Sequence, residues 1–152
     1  MAMTDVESVF VDSNILIYAD VPAAPENRPA RTRLEELASD GAELWISRQV
    51  LREYMACMTR PQAFMKAIPP TEVVDDVRRW ESQFKIAEDG PSVTDQLLVL
   101  LNSVPVGGKQ VHDANIVATM LAHGLKRILT HNVADFRRFS PWIDVIPLVP
   151  TP

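Results

Sequence analysis

The chain has 152 residues, 47% of them apolar and 23% charged, which leaves room for one ordinary hydrophobic core and no second domain. That balance excludes a disordered chain, and no stretch approaches the roughly 18 consecutive apolar residues of a membrane span. The lone cysteine, Cys57, excludes an internal disulfide framework and a multi-cysteine metal site, so a cytoplasmic setting is expected.

The amino-terminal stretch carries acids where a secretory signal would carry basic residues, so an unprocessed chain is expected. Residues 6–11, VESVFV, predict a short strand with Asp12 at its carboxyl end. Ser13, Asn14 and a short helical turn, ILIYA, follow. Prolines make 21–29 a loop, and a helix is expected over 29–40, with Pro29 in its first turn and Gly41 just past its end. ELWI, 43–46, is a second strand, and Ser47 suits the N-cap of a helix that runs to residue 59 and stops before Pro61. Its apolar stripe is Val50, Leu51, Tyr54, Met55 and Met58, with Glu53 at the edge, about 60° around the helix from Val50. A proline-bounded connection covers 60–70. Thr71 is expected to cap a helix through 83, FKIA at 84–87 is a brief strand, and Ser92 with Asp95 resembles a capping box before QLLVLL. Glycines in VPVGGK, 104–109, permit unusual backbone angles.

Residues 110–139, QVHDANIVATMLAHGLKRILTHNVADFRRF, predict a helix, a glycine turn, the strand RILT at 127–130 and a second, acid-bearing turn. At about 100° per residue, Asp113 shares a face with Ile116, Val117, Met120 and Leu121, which is the stripe expected to be buried. A carboxylate there is costly unless something positive meets it. A last strand at 144–146 and a proline-rich end complete the chain, without repeats or low-complexity tracts. Short strands alternating with helices predict a three-layer α/β domain, a short parallel central sheet flanked by helices, spanning 1–152.

In such a sheet, ligands bind beyond the carboxyl ends of the strands. Asp12 stands at one such end and Asp135 follows another. Asp113 begins the helix that packs antiparallel to the strand RILT, and Glu53 sits in the second turn after ELWI, so all four acids are expected at one edge. Converging carboxylates repel, each ionised pair costing roughly 4 kcal/mol at about 4 Å and an effective dielectric near 20. Protonation or a bound cation must relieve this. Oxygen-only donors favour Mg²⁺ or Mn²⁺ over Zn²⁺, and water activated by such an ion is a ready nucleophile for phosphodiester hydrolysis. The formal charge of −5 does not exclude a nucleic-acid partner, because four acids gathered in a pocket leave the remaining surface near neutral.

Each residue has a plainer reading. Asp12 can be a turn former, Asp113 a first-turn acid favoured by the helix dipole, Glu53 a solvated helix acid and Asp135 the cap of a short turn. Only their joint placement speaks for chemistry. Thr130 is a pocket hydroxyl, while His112 and His131 flank the site as possible ligands or acids, with surface or backbone-bonded roles as the default. Arg48, Arg52, Lys109, Arg137 and Arg138 lie near the acidic edge and can grip phosphates, or simply pair with local acids. Trp45, Met55, Met58, Phe64, Met65 and Trp142 are expected in the core.

VDSN after the first strand, Glu53 in QVLREY, Asp113 in VHDANIVATM and the block THNVADFRRF together resemble the PIN domain, particularly the VapC-like ribonuclease toxins of toxin-antitoxin pairs. The resemblance implies a Mg²⁺- or Mn²⁺-dependent endoribonuclease that cleaves structured RNA, works as a homodimer and is held inactive by a small cognate antitoxin. It also implies that Asp12, Glu53, Asp113 and Asp135 form the acidic metal site, with Ser13 and Asn14 supporting the first ligand. Many members have an acid soon after the last strand's threonine; here Asn132 stands in that position and Asp135 comes three residues later, so both are candidates. Two other classes remain. A non-catalytic Mg²⁺-binding signalling domain of receiver type would need paired acids after the first strand, which the chain lacks. An inactive PIN fold kept for protein binding would not need all four acids.

Overall fold

A computed structural model describes residues 6–149; residues 1–5, part of the stretch read for a secretory signal, and the proline-rich end at 150–152 lie outside that range. The strands are β1 (Ser8–Val11), β2 (Glu43–Ser47), β3 (Lys85–Ala87), β4 (Arg127–Thr130) and β5 (Asp144–Pro147). The helices are α1 (Ser13–Ala19), α2 (Asn27–Ser39), α3 (Arg48–Met58), α4 (Pro70–Gln83), α5 (Pro91–Ser103), α6 (Gln110–Ala122) and α7 (Val133–Phe136), followed by a 3-10 turn at Arg137–Phe139.

All strand pairs are parallel, in the order β3-β2-β1-β4-β5. The chain steps one way from β1 to β3, then returns across the sheet to β4 and β5. Right-handed crossovers therefore place α1 to α4 on one face and α5 to α7 on the other. Helix contacts fall into the same two groups: α1 with α2 and α3, α3 with α4, and α5 with α6 most extensively. The sheet lies between them. Val9, Phe10, Val11, Ile128 and Leu129 are fully buried, as central strands covered on both faces require. The reversal of strand order falls between β1 and β4, where the carboxyl ends of neighbouring strands open a crevice.

Two glycines stop helices so that the next strand can enter the sheet. Gly41 and Gly124 have φ of 81° and 70°, and behind them Ala42 N–H donates to Leu37 O and Leu125 N–H to Met120 O. The expected caps of two other helices do not form. Pro70 and Pro91 occupy first-turn positions, where a missing N–H costs nothing, so the helices begin at Pro69 and Gly90 as caps. That moves Thr71 inside its helix, and Ser92 with Asp95 makes no capping box. Helix α2 also starts earlier than proline placement suggests, because Asn27 Nδ2 donates to Tyr18 O and Ala19 O and ties it to the end of α1. Of the large apolar residues assigned to the core, Met58 is fully buried, Trp45, Met65 and Trp142 are partly buried, and Met55 and Phe64 are exposed. Among the described residues no helix is long and apolar enough to cross a membrane.

The far end of α1 is anchored by Asp20. Its Oδ2 accepts from Tyr54 Oη at 2.6 Å, Arg79 Nη2 at 2.7 Å and Trp80 Nε1 at 2.9 Å, joining α1 to α3 and α4. Tyr54 is fully buried, and burial followed by the Asp20 bond pushes its phenol well above the usual range. Replacing Asp20 by Ala would leave these donors without an acceptor. Asp20→Ala is expected to lower the unfolding free energy by about 2–3 kcal/mol in denaturant titration; a loss below about 0.5 kcal/mol would show that water replaces the carboxylate freely.

Candidate functional site

The site begins where β1 ends. Val11 is in register with Leu129, and Asp12 N–H donates to Leu129 O at 3.0 Å, so Asp12 and Thr130 leave the sheet side by side. Asp12 is the N-cap of α1, its Oδ1 accepting from Ser13 N–H at 2.8 Å. Its Oδ2 accepts from Thr130 Oγ1 at 2.8 Å and Asn14 Nδ2 at 2.9 Å. Asn14 Oδ1 in turn accepts from His131 N–H at 3.0 Å, closing a loop between α1 and the segment after β4. With 5% of its surface exposed, Asp12 is pushed up to about 6 from a usual value of 3.8. Burial is the main cause; the Thr130 bond opposes it, the Glu53 charge adds to it, and the Ser13 and Asn14 bonds oppose it.

Glu53 reaches this carboxyl from α3. Its Oε2 accepts from Ser13 Oγ at 2.9 Å and its Oε1 from Gln49 Nε2 at 3.0 Å. Gln49 Nε2 also donates to His112 O at 2.9 Å, while its Oε1 accepts from Asn115 Nδ2 at 2.9 Å. An amide relay thus runs from α6 to α3 across the carboxyl edge of the sheet. Sequence reading missed both amides. Gln49 carried a usable signal, since it lies one helical turn before Glu53 on the same face; Asn115 carried none.

Asp113, in the first turn of α6, is half-buried rather than sunk in the apolar stripe, while Ile116, Val117 and Met120 beyond it are buried. Its carboxyl is raised to about 6 by burial first, then by the charges of Asp135, Asp12 and Glu53, with Arg138 acting weakly the other way. All four predicted acids therefore act at one place. Asp135 lies exposed in the first turn of α7 and is the carboxylate that weighs most on Asp113. Asn132 is exposed just before α7 and uses its backbone N–H to bond Thr130 Oγ1 at 3.0 Å.

Among the described residues no three His, Cys, Asp or Glu side chains close into a ready metal cage. Mutually repelling carboxylates stand apart, and Mg²⁺ takes one or two of them with retained water. The donor set is all oxygen, and burial with the charge of neighbouring acids, Glu53 for Asp12 and Asp135, Asp12 and Glu53 for Asp113, raises two of the carboxyls to about 6, so the residues fit a hard divalent ion.

The cations divide. Arg48 pairs with Glu88 at 2.7 Å and with Glu81, the local pairing that is one of its two readings, and so ties its guanidinium to α4 and the loop after β3. Arg52 lines a cleft of about 490 Å³ with Glu53, His112 and Asn115. Lys109 and Arg137 are exposed, and Arg138 acts on Asp113 while donating to Pro105 O at 3.4 Å. His112 is exposed and joins the network through its carbonyl; the His131 ring packs against Tyr18. A cavity of about 700 Å³ lies beside Asp20 and Trp80 and contains none of the four acids.

A family model described as PIN domain matches residues 9–140. The chain is 26% identical to Ribonuclease VapC24 of Mycobacterium tuberculosis over 132 residues, 86% of this chain and 90% of that protein. A toxin-antitoxin complex from Klebsiella pneumoniae contains a chain of like fold, with a TM-score of 0.61 and 21% identity over 94% of this chain and 99% of that one. VapC20 of Mycobacterium tuberculosis, described as a sarcin-ricin loop cleaving toxin, has a TM-score of 0.59 and 19% identity over 79% of this chain and 86% of that one.

Carboxyls raised in the folded state contribute stability that is full below their unfolded value and is lost as pH rises through the folded one. For Asp12 and Asp113 that window runs from 3.8 to about 6. Without metal, wild type should lose stability relative to Asp12→Asn as pH rises across this window, by up to about 3 kcal/mol for the buried Asp12. Divalent ions should raise the melting temperature more at pH 7.5 than at pH 5, since they compete with these protons. Parallel pH profiles for wild type and variant would refute this.

Proposed function

The chain belongs to the PIN domain family, and from that premise we propose that it is an endoribonuclease, the toxin of a toxin-antitoxin pair. It would hydrolyse RNA phosphodiesters with a divalent ion, Mg²⁺ or Mn²⁺, and act as one PIN-like domain over 1–152. The observation that carries this reading is the placement of four acids at one sheet edge, where Ser13 bonds both Asp12 and Glu53, Thr130 and Asn14 hold Asp12, and the charges of Asp135, Asp12 and Glu53 all fall on Asp113.

Asp12, Asp113 and Asp135 would hold the ion. Bound there, it supplies positive charge to a phosphoryl oxygen and makes water more acidic. Glu53, fixed by Ser13 and Gln49, orients the attacking water and accepts its proton. Thr130, Asn14 and Ser13 hold Asp12 in place, and Asn132 stays a supporting residue through its bond to Thr130. Arg52, Lys109, Arg137 and Arg138 are placed to meet RNA phosphates, a contact that tolerates sequence change.

The partners follow from the same reading. A small antitoxin would hold the enzyme inactive, and a second copy would complete a homodimer, in the cytoplasm where RNA is met. Leu98, Val99 and Leu101 on α5 leave apolar surface exposed that such a partner would cover.

Purified protein with Mn²⁺ is expected to cut RNA, and sequencing the new ends in total cellular RNA would map the sites. Asp12→Asn and Asp113→Asn should each slow cutting by about a hundredfold or more with the circular dichroism spectrum unchanged. Equal rates in either variant, or in EDTA, would sink the nuclease reading. If calorimetry also detected no Mn²⁺ binding, the protein-binding alternative would gain.

A further inference from the structure

Beside the acidic pocket stands an aromatic corner. Tyr18 follows Asn14 by one helical turn on α1, so it shares that face about 6 Å farther along the axis. His131 directly follows Thr130, and its N–H is held by Asn14 Oδ1 at 3.0 Å. The two rings lie 5.4 Å apart between centroids with their planes at 88°. His131 exposes 36% of its side chain and Tyr18 is half-buried, so the corner is open to solvent. Glu26 completes it, its Oε1 3.8 Å from His131 Nε2. The Tyr18 phenol is raised by burial and then by the Glu26 charge, which puts that carboxylate near both rings.

Resting on the nuclease reading above, the geometry points to this corner as a nucleobase site: a base flanking the scissile phosphate stacks on one ring and turns its edge to the other. Every base has a π face, and aromatic platforms beside a backbone track are how single-stranded RNA is held. The perpendicular planes suit a flat ligand, since the face offered by one ring is closed at the side by the other. Glu26 then supplies a hydrogen-bond acceptor for an exocyclic amino group, as a carboxylate does for cytosine N4. The corner therefore prefers an amino-bearing base over uracil. Its place, one turn along α1 from the residue that holds Asp12, puts the stacked base about a nucleotide from the acids.

If Tyr18 and His131 merely packed α1 against the segment after β4, their loss would lower stability without regard to the base presented. The test uses the full chain with Mn²⁺ and a short oligoribonucleotide spanning a mapped cut. Matched versions lack one base at each flanking position or carry uracil there. In wild type, one missing base should lower kcat/KM by about 5- to 100-fold. Tyr18→Ala and His131→Ala should lower kcat/KM on the intact oligonucleotide to a similar extent and become indifferent to that base. Tyr18→Phe should keep both rate and sensitivity, and Glu26→Gln should lose the preference against uracil. His131→Ala retains the backbone bond to Asn14, so it reads the site even if Tyr18→Ala fails to fold. Variants that slow every oligonucleotide equally, or stay as sensitive to the missing base as wild type, overturn the site while leaving the nuclease reading intact. A wild type that cuts no RNA overturns both.

Discussion

The structure depends on a carboxylate that its surroundings do not fully accommodate. Asp12 caps α1 at the junction of β1 and β4, where Ser13 N–H, Thr130 Oγ1 and Asn14 Nδ2 all donate to it. Hydrogen bonds to a charged acceptor contribute roughly 1.5–3 kcal/mol each at best. Burial still prevails, because Asp12 is raised rather than lowered. The donors fix where the carboxyl points without removing its affinity for a positive partner. A proton or a metal ion can satisfy that affinity, and the choice between them falls within the pH range of a cell.

Around this carboxyl the two helical layers must be held together against their own charges. Glu53 comes from one face of the sheet and Asp113 from the other, and Glu53 acts on Asp113's protonation together with Asp135 and Asp12. Like charges drive such elements apart. The Asn115–Gln49–Glu53 relay and the Gln49 bond to His112 O resist this by tying the first turns of α3 and α6 across the sheet edge. Neutral amides suit the task, since they donate to one group while accepting from another and add no charge.

Positive charge is placed at the rim rather than inside. Arg138 is the cation that acts on Asp113, and it does so weakly. Arg48 is consumed by Glu88 and Glu81, and Arg79 by Asp20 and Asp76. An arginine lodged among the four acids would neutralise them and leave little for a divalent ion. With the cations outside, the four acids keep their negative charge to themselves and the exposed basic side chains lie at the rim.

Local chemistry was legible in the sequence. Alternating short apolar runs and amphipathic stretches announced the parallel three-layer fold, and the acids at strand and helix ends marked the sheet edge on which the candidate site lies. Both follow from short-range rules of periodicity and chain direction. Boundaries shifted where a tertiary bond or a proline overrode a local signal, as Asn27 did for α2 and Pro70 and Pro91 did for Thr71 and Ser92. The position of Asp135 relative to Asn132 depended on how α7 turns after β4, which no local pattern encodes. Asn115, Gln49 and the Tyr18–His131 corner depended on side chains from distant segments meeting across the edge of the sheet. Sequence alone determined which residues could carry charge to the site. Tertiary structure decided which of them face one another, because desolvation and repulsion act through space and not along the chain.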